Sequence, residues 1–243
     1  MKHKRREMSG SVSWVFRYMG LLLLLLLLPP LQLNIVHHEM QLAAAAVMDL
    51  TEGFVAVPLN PGLNMEIQKP YNIAAEDRYS FKDGIHKLWV FSTDKPHTTS
   101  SKTEPRTEIR IKGYDYSSGV WQLEGQGYVP SGTSGVCIMQ VFGPANYHST
   151  ALMLRVYNGS LSYYRNPVLD ENMYDKWFRL NVIHDVAARK VKVYIDGVLK
   201  LEDSVIIEPR SSHYFKLGVY AQNDCSYRME SRWKDIKVLK KRV

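Results

Sequence analysis

The sequence predicts an all-β fold, an antiparallel β-sandwich. Short segments of alternating, or β-branched and aromatic, composition follow one another through residues 86–238. Tight-turn dipeptides separate several of them, and no stretch has the 3.6-residue period of a long helix or repeats at a fixed length.

Residues 54–70, rich in Pro and Gly, read as an extended lead-in. Strands are then expected at 86–91, 107–112, 120–128, 135–142, 151–157 and 161–164, and again at 177–184, 190–195, 198–201, 214–220 and 231–238. Asp83-Gly84, Asn158-Gly159 and Asp196-Gly197 are formers of two-residue hairpin turns. Trp-Phe-Arg-Leu-Asn-Val-Ile-His at 177–184, followed by Val-Lys-Val-Tyr-Ile-Asp-Gly at 191–197, has the hairpin pattern of lectin-like jelly rolls. A concanavalin-like jelly roll with a concave ligand groove is the expected architecture.

The first 46 residues stand apart. Lys2, Lys4, Arg5, Arg6 and Arg17 precede an unbroken leucine run at 21–28, Pro29-Pro30 ends it, and four alanines at 43–46 offer a cleavage site. This is the pattern of a cleaved secretory signal. An uncleaved anchor would need about 20 apolar residues, and Arg17 and the prolines weigh against it. Residues 47–243 are therefore expected as one domain in the secretory route, vacuolar or extracellular, without a further membrane span. The 31 basic and 24 acidic side chains give +7; five basic and two acidic groups lie in residues 1–46, leaving +4. That surplus fits an acidic ligand or glycan and, without a basic stripe, is no argument for nucleic acid. Oligomeric state is not legible.

In a secreted chain the two cysteines, Cys137 and Cys225, suggest one disulfide. Cys137 is an odd number of residues from Gln140, so alternation turns it away from whatever Gln140 faces. Asn158-Gly159-Ser160 is a glycosylation sequon as well as a turn.

Three segments place polar side chains at every second position of apolar strands: Arg-Thr-Glu-Ile-Arg at 106–110, Gln-Val-Phe-Gly at 140–143 and Tyr-Phe-Lys-Leu-Gly-Val-Tyr-Ala-Gln at 214–222. Arg106, Glu108 and Arg110 share one face; Gln140 shares a face with Phe142, and Tyr214, Lys216, Tyr220 and Gln222 share another. Solvated outer faces are the ordinary source of such alternation. Guanidinium, amide, ammonium and phenol together also suit a carboxylate, with Glu108 holding the arginine forks. Arg106, Arg110, Gln140, Lys216, Tyr220 and Gln222 are the candidate ligand-binding residues.

These three segments, in this order, resemble the signature segments of the alginate lyase and glucuronan lyase jelly rolls. A longer run is similar to the plant citrate-binding proteins: Gln-Lys-Pro-Tyr at 68–71, Lys-Leu-Trp-Val at 87–90, Tyr-Ser-Ser-Gly-Val-Trp at 116–121 and Gly-Val-Cys-Ile-Met-Gln-Val-Phe-Gly at 135–143. The resemblance implies a site for citrate or a similar polycarboxylate, or alternatively for an acidic polysaccharide. Lyases of this kind neutralise a uronate carboxylate, remove the adjacent proton and protonate the leaving oxygen. Alginate lyases generally use a histidine two residues after the glutamine, where this chain has Phe142. A phenyl ring carries no proton, so the resemblance favours binding over elimination. If the chain is a lyase, Tyr220, Gln140, Arg110 and His97 are its candidate catalytic residues; a non-catalytic wall protein that binds acidic glycans is a further alternative.

His184 alternates with Leu180 and Val182 and is expected in the core or at an edge, while His86, His148 and His213 have no metal-ligand spacing. No metal and no cofactor are expected. Tyr163, Tyr164, Tyr194 and Tyr227 are expected to fill strand surfaces.

Overall fold

The computed structural model describes residues 49–145, 148–205 and 211–242. The segment expected to be a signal lies outside them. The strands are β1 (Phe54–Ala56), β2 (Met65–Gln68), β3 (Tyr79–Lys82), β4 (Ile85–Phe91), β5 (Arg106–Ile111), β6 (Val120–Tyr128), β7 (Val136–Ala145) and β8 (His148–Tyr157). They continue with β9 (Ser160–Tyr163), β10 (Val168–Asp170), β11 (Trp177–Asp185), β12 (Lys190–Ile195), β13 (Val198–Ser204), β14 (Tyr214–Ala221) and β15 (Arg228–Lys241). One helical turn, α1 (Pro61–Asn64), is capped by the Asn60 side chain, which accepts from the Gly62 N–H.

All pairings between these strands are antiparallel and they make two sheets. The eight-stranded sheet runs β13-β12-β11-β6-β15-β4-β3 with β1 on β15, and the seven-stranded sheet runs β10-β9-β8-β7-β14-β5-β2. The sequence-derived strands are all present. The lead-in is more ordered than expected, because β1 and β2 each extend a sheet by pairing with β15 and β5. Asn158 and Gly159 both have positive φ, 50° and 83°, as the hairpin between β8 and β9 requires.

Inward side chains of both sheets form one core. Leu88, Leu123, Phe178 and Trp233 come from the eight-stranded sheet and Ile109, Met139, Leu154 and Phe215 from the seven-stranded one, all fully or almost fully buried. Burial of each such side chain is worth about 1.5–3 kcal/mol. The sheets touch closely at Gly218 of β14. A Cβ there would lie 2.3 Å from the Thr107 carbonyl and 3.1 Å from Leu88, and the Gly218 carbonyl accepts from Ser231 Oγ of the opposite sheet at 2.7 Å.

His184 is fully buried in this core, as expected, its Nδ1 3.0 Å from the Tyr116 hydroxyl. His213 stands perpendicular to it at 4.8 Å. Burial depresses the pKa of both imidazoles, that of His184 to about 3 with a further push from His213.

Both cysteines are free thiols, which corrects the expected disulfide. Cys225 lies in the β14–β15 turn with its Cα against Gly135 and packs on the core. Cys137 instead points to the outer face of the seven-stranded sheet, opposite Tyr220 and Arg155. Two thiols directed to different sides of a sheet do not meet the short Cβ–Cβ separation a disulfide needs.

Candidate functional site

The site is the outer face of the seven-stranded sheet, and cross-strand register brings its residues together. One row reads Arg110, Lys216, Gln140 and Met153 across β5, β14, β7 and β8; a second, beyond the Glu108–Gly218 pair, reads Arg106, Tyr220, Cys137 and Arg155 across the same strands. Directly paired residues project to the same side. The three segments thus converge on one face, as their alternation predicts.

The placement of Cys137 corrects a second expectation. Gln140 and Cys137 share a face although three residues separate them, because the pairing of β7 shifts between Cys137 and Met139. Such a bulge adds one residue and inverts the alternation beyond it. Cys137 Sγ donates to the Met139 carbonyl, 3.2 Å away across the bulge. Burial raises the thiol pKa strongly, so Cys137 is a neutral piece of the floor.

Glu108, paired with Gly218 between these rows, is the centre of their electrostatics. It is 1% exposed. Its carboxylate accepts from Arg106 Nη1 at 3.3 Å, from Lys216 Nζ at 3.3 Å and from the Gln140 amide. Lys216 Nζ also donates to Gln68 Oε1 of β2 at 2.7 Å. Burial lowers the Lys216 pKa, and the Glu108 charge acts against that shift. Arg110 reaches the other way. Its Nη2 donates to Asp115 at 2.6 Å, and its guanidinium lies 4.0 Å from the Tyr214 ring centroid. Phe142 stacks on Tyr214 at 4.8 Å.

Beside this network lies a cleft of 340 Å³. Arg106, Gln140, Tyr220 and Gln222 line it, joined by Arg155, Tyr164, Met153 and Phe142. The Arg106 guanidinium sits 3.8 Å from the Tyr220 ring centroid, and that of Arg155 sits 4.9 Å from that of Tyr164. Arg106 Nη2 donates to Thr103 Oγ1 at 2.9 Å. Burial raises the Tyr220 pKa and Arg106 partly offsets this, so the phenol is a proton donor at neutral pH. The Gln222 amide nitrogen is engaged by the main-chain carbonyls of Tyr220 and Ala221. No carboxylate is among the described residues lining the cleft.

Lys216 and Arg110 are on the predicted face without lining the cleft. His97 does not line it either. It is half-buried in the loop before β5 with its Nδ1 buried and unpartnered, and burial, then Arg106 and Lys216, depress its pKa. Asn158 sits at an exposed turn, its side-chain oxygen accepting from Ser134 Oγ at 3.2 Å. Two contributors escaped the sequence reading of the site, Arg155 and Tyr164. The alternation of Met153, Arg155 and Tyr157 against Leu152, Leu154 and Val156 is the signal that marks the β8 residues.

Known proteins match this fold and order of residues. The sequence profile of the alginate lyase family matches residues 57–240. The chain is 55% identical over 193 residues to a protein of Hevea brasiliensis named "Citrate-binding protein", covering 79% of each chain. Among solved structures, the alginate lyase AlgAT5 of polysaccharide lyase family 7 aligns with a TM-score of 0.57 at 18% identity, over 75% of this chain and 98% of that one. The alginate lyase from Corynebacterium sp. aligns with a TM-score of 0.55, also at 18% identity, over 76% and 92%. These two likenesses concern the fold. The profile match takes in β2 through almost all of β15, and the chain belongs to the alginate lyase family.

Proposed function

We propose that this protein binds citrate or a similar polycarboxylate in the cleft beside Arg106 and Tyr220. The observation that carries the reading is the cleft's makeup: two guanidiniums, two amides and two phenols, with no carboxylate and no imidazole among the described residues lining it. Such a set attracts an anion and has no obvious base to deprotonate one. The volume lies at the lower end of the roughly 300–1,000 Å³ of small-molecule sites. The 55% identical relative is named for citrate binding, which supports the same ligand. Calorimetric titration with citrate should give saturable heat; no heat at millimolar citrate overturns the reading. The basic and leucine-rich start of the chain supports a secretory route, vacuolar or extracellular, and a fluorescent fusion would follow it.

A polysaccharide lyase is the second reading, favoured by one observation. Tyr220 lies beside Arg106 and Gln140, on the same face, in a chain of the alginate lyase family. Elimination from a polyuronate creates an unsaturated, ultraviolet-absorbing product. A flat trace against a panel of polyuronates removes this reading for those substrates; a rising trace abolished by Tyr220→Phe establishes it. Glycan binding without turnover would instead mark a wall protein for acidic polysaccharides.

A further inference from the structure

Arg106 and Arg155 are at opposite ends of one cross-strand row, with Tyr220 and Cys137 between them. Three strand gaps place their Cα atoms roughly 14 Å apart. Both side chains line the same cleft, and the buried Cys137 lies between their strands in the row. Each guanidinium is steadied by a tyrosine ring, Tyr220 or Tyr164. Each also keeps a buried Nε without a hydrogen-bond partner. Arg106 shares its charge with Glu108, whereas Arg155 forms no ion pair among the described residues. Its one side-chain hydrogen bond among the described residues runs from Nη2 to the weak acceptor Met153 Sδ at 3.3 Å. Both guanidiniums line one cleft and neither is fully satisfied within the protein, so the pair marks positions where acceptor oxygens are wanted.

We propose that Arg106 and Arg155 are the two arms of a clamp that holds two carboxylates of one short polycarboxylate. Arg155 anchors the second carboxylate and selects di- and tricarboxylates over monocarboxylates. This rests on the carboxylate-binding reading of the cleft and adds to it the basis of selectivity. Each planar guanidinium can donate two parallel hydrogen bonds to one carboxylate. The neutral thiol below adds no repulsion.

The test is calorimetry of the wild-type chain, Arg155→Gln and Arg155→Lys with citrate, glutarate and acetate, alongside thermal melting. In Arg155→Gln, citrate and glutarate should each weaken by at least about tenfold, while acetate, which needs one arm, stays within about twofold. Arg155→Lys should restore part of the citrate affinity, since it returns the charge without the fork. Citrate binding to Arg155→Gln within about twofold of wild type overturns the clamp and leaves the carboxylate reading standing. Equal weakening of acetate and citrate also overturns the clamp, by showing a general electrostatic effect. Absence of heat from all three acids with the wild-type chain overturns both. If Arg155→Gln melts early, the lysine variant decides: selective loss of glutarate over acetate supports the clamp, and loss of neither refutes it.

Discussion

Two rows on the outer face of one sheet, with the Glu108–Gly218 pair between them, are built from similar side chains and end in different states. In the row of Arg110, Lys216 and Gln140, each donor has an internal acceptor, in Asp115, Glu108 or Gln68. In the row of Arg106, Tyr220, Cys137 and Arg155, both guanidiniums keep an unsatisfied nitrogen and the cleft opens beside them. The position of a few carboxylates makes the difference. Glu108 takes up Lys216 and part of Arg106, and Asp115 takes up Arg110; Arg155, with no acid beside it among the described residues, is left for a ligand.

The largest expected effect breaks the scaffold row. Replacing Glu108 by Leu removes the acceptor of Arg106, Lys216 and Gln140 and leaves buried charges uncompensated, so unfolding free energy in denaturant titration should fall by about 3–5 kcal/mol. A neutral substitution would show that Glu108 is not what distinguishes the two rows.

Acid tests whether the rows can be separated from the core beneath them. His184 has its folded pKa lowered to about 3 by burial, below its unfolded value near 6.5. The unfolded state therefore binds a proton first, and the stability contributed by the neutral imidazole is present above the unfolded pKa and is lost as pH falls toward the folded one. By pH 4 the loss should be about 3 kcal/mol from this residue alone. His86, lowered by burial to about 4, adds a loss of the same sign. Denaturation of His184→Gln at pH 7.5, 5.5 and 4 should give a flatter profile than wild type, with citrate affinity at pH 7.5 unchanged; a parallel profile would remove His184 as the cause.

The smallest effect sharpens the comparison. Arg110→Ala breaks a pair with the half-exposed Asp115 rather than a contact lining the cleft. Citrate affinity should change by less than about threefold, well under the loss at Arg155, since exposed pairs are worth about 0–1 kcal/mol. A tenfold loss would place Arg110 in the binding row.

Much of this was readable beforehand because it depends on local geometry. The Asn-Gly and Asp-Gly turns, the strands between them and the shared face of Arg106, Glu108 and Arg110 follow from backbone sterics and a period of two. Cys137 was misplaced because a bulge is a tertiary accommodation and leaves no mark in the alternation of its own strand. Lys216 was expected to touch ligand, yet Glu108 and Gln68 enclose it; a sequence does not report which acid reaches which base. Arg155 and Tyr164 fell outside the three segments, since β8 joins the cleft only through its pairing with β7.

The sequence by itself determined the sandwich, the sidedness of its strands and the gathering of cations, amide and phenols on one face, because side-chain direction in a strand is set residue by residue. Only the tertiary structure decided which of those groups are spent on one another and which are left for a ligand. That depends on register across four strands and on one inserted residue in β7, which together put Glu108 among one set of donors and none of its kind beside Arg155.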